Sequence, residues 1–313
     1  MRFAILFLAG AVALQAAGSD PLVKVGNYHL KTPRYGAAVV ADGGSVYVLG
    51  GANDTGLLGD IERFDINTHE VVRMTDRLIP RRYHGAAVVD GRIYVFGGES
   101  VTSIRSDERN ESAVEIYELS SGRISQGARM PTPRAHAAVV AFTGRIYVIG
   151  GIRIHRNTSL HTGLVEIYDP ATDRWSTGPA MPTAREACAA VVGDFILVPG
   201  GYRARAAVAP VEFLVPGENA WKQLPALCKP VSACSVAFLG SHLFLFGNFA
   251  AEDDVVAYDL RTRASAVIRP GYLPARHTAA VAHEGRIYVV GGNLASGLTF
   301  PRDDIQVFAP PAP

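Results

Sequence analysis

The sequence predicts an all-β protein built as a six-bladed β-propeller. Six copies of a short apolar strand, most with an aromatic residue and paired glycines at the end, recur at a period near 50 residues. The segments between them read as further short strands, without the 3.6-residue apolar period of a helix. An apolar segment ahead of the first copy offers a strand that the last copy lacks, so the ring is expected to close on itself.

The six copies share an apolar core followed by glycine. They are Val46–Gly51, Ile93–Gly98, Ile146–Gly151, Ile196–Gly201, Leu243–Asn248 and Ile287–Gly292. Their first glycines are separated by 47, 53, 50, 47 and 44 residues. Paired glycines permit positive φ and close backbone approach where the chain leaves a sheet. One copy per blade therefore gives six blades.

Each repeat contains four strand signals. The first is small and apolar, as in residues 36–40 and 85–89, which suits an inner strand crowded around a central axis. The glycine-ended strand is second, and the third alternates in character, as in residues 114–117. An outer strand carries Trp175 or Trp221 in two repeats. The last repeat has no outer strand of its own, and residues 22–25 are expected to pair there and remove an open edge.

This pattern resembles the kelch-repeat family. The resemblance rests on the aromatic strand with its paired glycines and on the period, and it covers nearly everything after the leading segment. It implies a propeller whose loops bind a protein or another ligand. Because widely reused folds do not fix a function, the function must be argued from the site.

The leading segment has the composition of a signal peptide. Met1 and Arg2 give a positive start, residues 3–14 are apolar, and residues 16–18 are small. The apolar run is shorter than the roughly 20 residues of a membrane span. We therefore expect a signal peptide over 1–18, one propeller domain over 19–313, and a periplasmic or secreted protein.

Bulk composition excludes several classes of function. The chain of 313 residues is 48% hydrophobic and 19% charged, with a net charge of +1, which indicates a globular protein and gives no reason to expect nucleic acid as a partner. We expect a monomer. No cofactor is predicted, and the histidines lack the short spacing of a metal site. Of the three cysteines, Cys228 and Cys234 are near enough in sequence for a disulfide, which would leave Cys188 free; the alternative is that all three are incidental.

Function is expected on the face that carries the long loops. In a four-stranded blade the second-to-third connection emerges on the side where the chain enters the next inner strand, and these connections are long at about 99–113 and 152–164. The residues predicted to bind a ligand near the axis are Arg34, Tyr35, Arg82, Tyr83, His84, Arg134, His136, Arg185, Glu186, Arg276 and His277.

The arginines in this set favour an anionic small molecule or an acidic glycan, because guanidinium groups bind carboxylates bidentately. A structural alternative stands beside this interpretation. The same arginines could pair with third-strand glutamates and hold neighbouring blades together. Those glutamates are Glu62, Glu115, Glu166 and Glu212.

The first functional hypothesis is a noncatalytic binding protein, and the alternative is a carbohydrate mutarotase. In size, export and repeat number the chain is similar to the N-acetylneuraminate epimerase family of sialic acid mutarotases. That resemblance implies a glutamate directly after a glycine pair, with an arginine six residues later. Glu99 and Arg105 have this spacing, but in repeat two; in repeat four, where the pair is expected, Tyr202 follows the glycines.

Overall fold

A computed structural model describes residues 20–100, 110–155, 158–294 and 300–312. Six antiparallel sheets form a ring, and each has its strands in the order inner, second, third, outer. The predicted leader over 1–18 lies outside the described residues. No helix in those four ranges is long and apolar enough to cross a bilayer.

The strands of each blade follow one another along the chain. Blade 1 comprises Ala38–Asp42, Ser45–Asn53, Gly56–Asp65 and Val71–Thr75. Blade 2 comprises Gly85–Val89, Arg92–Phe96, Val114–Glu118 and Ile124–Gly127. Blade 3 comprises Ala138–Phe142, Arg145–Ile149, Val165–Asp169 and Arg174–Gly178.

Blades 4 to 6 repeat the plan. Blade 4 comprises Ala190–Val192, Phe195–Pro199, Val211–Leu214 and Lys222–Leu224. Blade 5 comprises Ser235–Leu239, His242–Phe246, Val255–Asp259 and Ala264–Ile268. Blade 6 comprises Ala279–His283, Arg286–Val290, Phe300–Ala309 and, as its outer strand, Val23–Arg34.

Short two-stranded ribbons form in the second-to-third connections, and in blade 2 the connection pairs with the segment that leads into the inner strand. They pair Arg81–Arg82 with Glu99–Ser100, Ile152–His155 with Thr158–His161, and Tyr202–Arg203 with Ala206–Ala207. Asn293–Leu294 pairs with the start of Phe300–Ala309 in the same way. These connections and the lead-ins to the inner strands lie on one side of the ring, which we call the long-loop face.

The ring is closed by the segment predicted to close it. Val23 lies opposite Ala309, and Tyr28 lies opposite Ile305, in an antiparallel pairing interrupted by bulges. Lys24 also donates its backbone N–H to the carbonyl of Pro270 (2.9 Å). The prediction of a leading strand that completes blade 6 is confirmed, and this pairing covers the edge of the blade's third strand.

The core lies between neighbouring blades. Between blades 2 and 3, for example, Phe96 and Val114 pack with Ile146 and Tyr168. Trp175 of the outer strand closes this layer, with its ring 5.7 Å from that of Phe96 and nearly perpendicular to it. Because each apolar layer is shared by two sheets, a blade depends on its neighbours for burial.

Four blades carry a buried arginine and glutamate at equivalent places. Arg34 pairs with Glu62 (2.7 Å) and Arg81 with Glu115 (2.5 Å). Arg134 pairs with Glu166 and Arg185 with Glu212 in the same way. The structural alternative from the sequence is therefore confirmed for these four glutamates, although in blade 2 the partner is Arg81 and not Arg82.

In blades 5 and 6, uncharged residues stand at the two positions of this ion pair. Val231 and Val256, both fully buried, take the two places in blade 5. Ala275 and Gln306 take them in blade 6, where the Gln306 side chain accepts a hydrogen bond from the backbone of Leu273 (2.7 Å). The fold therefore accepts an apolar pair where other blades bury two charges.

Candidate functional site

Six residues, one before each inner strand, surround the axis on the long-loop face. This axial ring consists of Gly36, Tyr83, His136, Ala187, Ala233 and His277. Backbone hydrogen bonds of 2.7–3.0 Å run around it, with each N–H donating to the carbonyl of the preceding blade. Five of the six possible backbone hydrogen bonds between neighbouring members are present. The sixth, from the N–H of Ala233 to the carbonyl of Ala187, is absent from the described structure.

Three bulky members of the axial ring have strained backbones. Tyr83, His136 and His277 have φ values of 55°, 53° and 55°, in the left-handed region that side chains with a Cβ rarely adopt. Such strain persists only where the surroundings enforce it, and it concentrates at functional sites. Here the ring of hydrogen bonds fixes the conformation and aims three aromatic side chains at the axis.

A pocket of about 140 Å³ opens at this ring. Its wall includes Tyr83, His136, Glu186 and Tyr202, with Cys188 and Cys234 among the remaining residues. Pockets for small molecules usually measure about 300–1,000 Å³. This axial pocket therefore suits a side chain or a small group better than a whole sugar.

One side of the axial pocket is an aromatic stack capped by an arginine. The Tyr83 ring lies 4.0 Å from the His136 ring, and the Arg82 guanidinium lies 5.0 Å from the centre of the Tyr83 ring. Arg82 also donates to the hydroxyl of Tyr35 (2.8 Å) and to the carboxylate of Glu99 (2.9 Å). Most of the hydrogen-bonding capacity of Arg82 is thus already used within the protein.

Glu186 is the carboxyl group of the axial pocket. Its side chain is 20% exposed and lies 3.4 Å from Nδ1 of His136 and 3.9 Å from Nε2 of His161. Burial, reinforced by the negative charge of Glu99, raises the pKa of Glu186 to about 7. Burial and the nearby His277 lower the pKa of His136 to about 3, so this imidazole is neutral at pH 7.

Two further histidines, His84 and His277, line the pocket in their neutral form. Burial, with the charge of Arg81 next, lowers the pKa of His84 to about 3. Nδ1 of His84 is buried without a hydrogen-bond partner in the structure. Burial and the adjacent Arg276 lower the pKa of His277 to about 4. The pocket therefore offers neutral polar groups that a bound molecule could satisfy.

The structure brings together only part of the predicted ligand set. Tyr83, His84, His136, Glu186 and His277 line the axial pocket. Tyr35 and Arg82 adjoin it through the contacts given above. Arg276 lies beside the axis with its guanidinium 4.2 Å from the ring of Phe249.

The expectation that Arg34, Arg134 and Arg185 face the opening is wrong. Their side chains are 0% exposed. Each points away from the axis toward the third strand, because an unpaired glutamate there would be costly to bury. Glu99 lies beside the axial pocket, and Arg105 lies outside the described residues.

Of the two alternatives that the sequence left open, the bridge between Cys228 and Cys234 is absent, and all three cysteines are free. Cys228 is exposed, and its backbone N–H donates to Ser265 of the outer strand (2.7 Å). Cys234 lies at the axis, where its Sγ is 3.7 Å from that of Cys188. Proximity in sequence misled here because the chain runs from the rim of the blade to the axis between the two residues.

One group of possible metal ligands occurs among the described residues, away from the axis. His29, Asp303 and Asp304 lie together at the outer strand of blade 6. Asp304 already accepts hydrogen bonds from Asn27 (2.9 Å) and Arg302 (2.7 Å). These contacts account for the cluster, and we assign no ion to it.

Large apolar side chains are exposed on the long-loop face. Leu160, Phe249 and Phe300 are 53%, 54% and 47% exposed; Leu160 and Phe249 belong to second-to-third connections, and Phe300 begins the third strand of blade 6. Sequence reasoning did not include these three residues among the predicted ligand-binding residues, and it did not include His161 or Tyr202. The sequence signal that could have identified the three exposed apolar residues is a large apolar residue that stands alone among polar loop residues.

Comparison with known proteins agrees with the repeat architecture. A family model described as the KLHDC2/KLHL20/DRC7 Kelch-repeats domain matches residues 25–181, half of the chain. The chain is 26% identical to Kelch-like protein terF of Aspergillus terreus, over 75% of this chain and 65% of that protein. It is 27% identical to Kelch-like protein 25 of Xenopus tropicalis, over 70% of this chain and 38% of that protein.

An enzyme is also among the relatives. N-(sulfonatooxy)prop-2-enimidothioate sulfolyase of Thlaspi arvense is 27% identical, over 55% of this chain and 56% of that protein. The chain thus spans less than two thirds of the length of each of these relatives. From the matched repeats and the six-bladed ring, the chain belongs to the kelch-repeat family.

Proposed function

We propose that the chain is a binding module that holds a partner protein against its long-loop face. The observation that carries this proposal is the exposure of Leu160, Phe249 and Phe300 on the same face as the axial pocket. Interface hot spots are typically aromatic or arginine side chains that bury apolar area. Phe249, stacked on Arg276, has both features in one place.

The charges near the axis favour a protein partner over a free acidic sugar. An anionic or carbohydrate ligand was expected from five arginines, and three of these are buried in ion pairs. Arg82 faces Glu99 (2.9 Å), and Arg276 faces Glu252 (3.8 Å). An anionic ligand would have to compete with a carboxylate for either arginine. A partner protein can instead add apolar contacts at the rim to a small group inserted at the axis.

The proposal is tested by site-specific photo-crosslinking in the native host. A photo-reactive amino acid replaces Phe249 in one variant and Val267 in a control, since Val267 is exposed on the outer strand of blade 5. We expect a discrete adduct from position 249 and none from position 267. Equal labelling from both positions contradicts a specific long-loop interface.

The purified partner then permits a quantitative test. Phe249→Ala should weaken binding about tenfold or more, which corresponds to about 1.4 kcal/mol. Met74→Ala, at an exposed position of the outer strand of blade 1, is the matched control and should leave affinity unchanged. Unchanged affinity in Phe249→Ala rejects the proposed rim.

A carbohydrate mutarotase is the second candidate, and the environment of Glu186 favours it, with only the anomeric end of the sugar entering the small axial pocket. A carboxyl group with a pKa of about 7 beside a neutral imidazole can accept and return a proton at neutral pH. Mutarotation of N-acetylneuraminate by the wild type, its loss in Glu186→Gln and its retention in Glu99→Gln would support this role. An absence of turnover in the wild type removes it.

We also propose that the protein is exported and monomeric. Export rests on the composition of residues 1–18, and the monomer rests on the covered edge of blade 6. N-terminal sequencing of the protein recovered from its host, with light scattering of the same sample, tests both. An intact leader contradicts export, and a mass of two or more chains contradicts the monomer.

A further inference from the structure

Cys188 and Cys234 occupy the same place in blades 4 and 5. Each directly follows a member of the axial ring, Ala187 or Ala233, and precedes the inner strand. Their Sγ atoms are 3.7 Å apart although 46 residues separate them in sequence. Neighbouring inner strands converge here, so side chains at this level meet across blades.

The two sulfurs meet at the step where the axial ring lacks its backbone hydrogen bond. His136 accepts from Ala187 (3.0 Å) and Ala233 accepts from His277 (2.8 Å), while no such bond joins Ala233 to Ala187 in the described chain. Between blades 5 and 6, Ser235 and Thr278 share a hydrogen bond of 2.8 Å between hydroxyls. At this level the thiols are therefore the polar link between blades 4 and 5.

We propose that Cys188 and Cys234 are a redox modification site, forming a reversible disulfide that joins blades 4 and 5 at the axial pocket. Both thiols line this open pocket and are half-buried, so the disulfide bond of a flexible low-molecular-weight oxidant can reach them while the rest of that molecule stays outside the pocket. A disulfide needs an S–S distance of about 2.05 Å, so the sulfurs must approach by about 1.7 Å. Rotation of the two side chains can supply part of that approach.

The chemistry is thiol–disulfide exchange with a low-molecular-weight disulfide such as oxidised glutathione. The Cys188 thiolate attacks one glutathione sulfur, its S–S bond breaks, and one glutathione leaves as thiolate. The Cys234 thiolate then attacks Cys188 in the mixed disulfide and releases the second glutathione. Two protein thiols are oxidised and one glutathione disulfide is reduced, and the two protons lost by the cysteines end on the two departing glutathione thiolates.

Cys188 is suited to be the attacking residue. A hydrogen bond from the Cys234 thiol and the positive charge of Arg185 lower the pKa of Cys188. The hydrogen bond it donates, together with burial, raises the pKa of Cys234. One sulfur of the pair is therefore the better nucleophile and the other the later, resolving thiol.

The test uses the whole chain equilibrated with mixtures of reduced and oxidised glutathione, acid-quenched, alkylated and mapped by mass spectrometry without reduction. We expect free thiols in the wild type to fall from three to one, with Cys188 linked to Cys234. Added reductant should restore all three. Cys228→Ala, at an exposed site, is the matched control and should form the same link.

Cys188→Ala and Cys234→Ala should each abolish the link. Alanine occupies the equivalent place in blades 1 and 3, as Ala37 and Ala137, so both variants are expected to fold. Oxidation should raise the thermal unfolding midpoint of the wild type and of Cys228→Ala. Three free thiols at every glutathione ratio, a link to Cys228, or glutathione adducts without a link each overturn the proposal.

Discussion

The buried ion pair of blade 4 has an apolar counterpart in blade 5, and this permits a quantitative prediction. Arg185 and Glu212 are 0% and 4% exposed. Replacing either one by valine leaves the other charge buried without its partner, which typically costs about 3–5 kcal/mol. Replacing both reproduces the pair Val231 and Val256, which the same fold already accommodates.

The double variant should still lose some unfolding free energy, because the hydrogen bonds that the two side chains make with neighbouring groups are also removed. Arg185 donates to the carbonyls of Thr183 (3.0 Å) and Val198 (2.9 Å), and Glu212 accepts from the Thr183 hydroxyl (2.7 Å), so all three groups lose a partner. At about 1 kcal/mol for each hydrogen bond, the double variant should lose about 3 kcal/mol of unfolding free energy. It should therefore be at least as stable as either single variant, and far more stable than the sum of the two single losses would leave it.

Equilibrium urea unfolding, followed through the fluorescence of Trp175 and Trp221, measures these differences. The exposed pair Glu218 and Lys222 is the control, because exchanging an ion pair at the surface should change stability by less than about 1 kcal/mol. A double variant that loses the sum of the two single losses, about 6–10 kcal/mol, refutes the reasoning.

Three further predictions concern the axial pocket and the closure of the ring. Because the pKa of Glu186 is raised from 4.5 to about 7, its contribution to stability is present below pH 4.5 and lost as pH rises through 7. Glu186→Gln should therefore gain stability relative to the wild type between pH 5 and pH 8, and parallel urea midpoints would contradict this. Gly201→Ala places a Cβ 2.2 Å from the carbonyl oxygen of Glu186 at a φ of 114°, so it should lower the thermal midpoint strongly. Gly193→Ala meets no atom within 4 Å but also has a positive φ, of 56°, so it should lower the midpoint less, through backbone strain alone; equal shifts refute the steric reason. Deleting residues 20–29 exposes the edge of Phe300–Ala309 and should produce aggregates by size-exclusion chromatography, and an unchanged monomer peak would show that the edge is protected otherwise.

The architecture could be predicted because each of its causes is local in sequence. The paired glycines mark the end of every second strand, and their spacing counts the blades. Steric contact explains the signal: a Cβ at Gly98 would lie 2.7 Å from Cβ of His84, so the repeat retains glycine there. The closing strand was predictable because the last repeat visibly lacks one.

The site was only partly predictable, because it depends on register and on contacts between blades. Arg81 and Arg82 are adjacent, and sequence alone could not tell which one faces the glutamate and which the axis. Arg276 was placed with the ion-paired arginines although it follows Ala275, the residue at their position. Cys188 and Cys234 meet only because two inner strands converge, which no local pattern reports.

Pairing of Val23 with Ala309 places the beginning and the end of the propeller side by side. In the other five blades a short turn joins the third strand to the outer strand, and in blade 6 the two ends of the propeller stand where that turn would be. A linker of a few glycines from residue 312 to residue 20 would supply the missing turn. New ends could then be opened at a hairpin such as Gly43 and Gly44, giving a circularly permuted chain in which blade 6 is continuous and blade 1 is the blade completed by both ends.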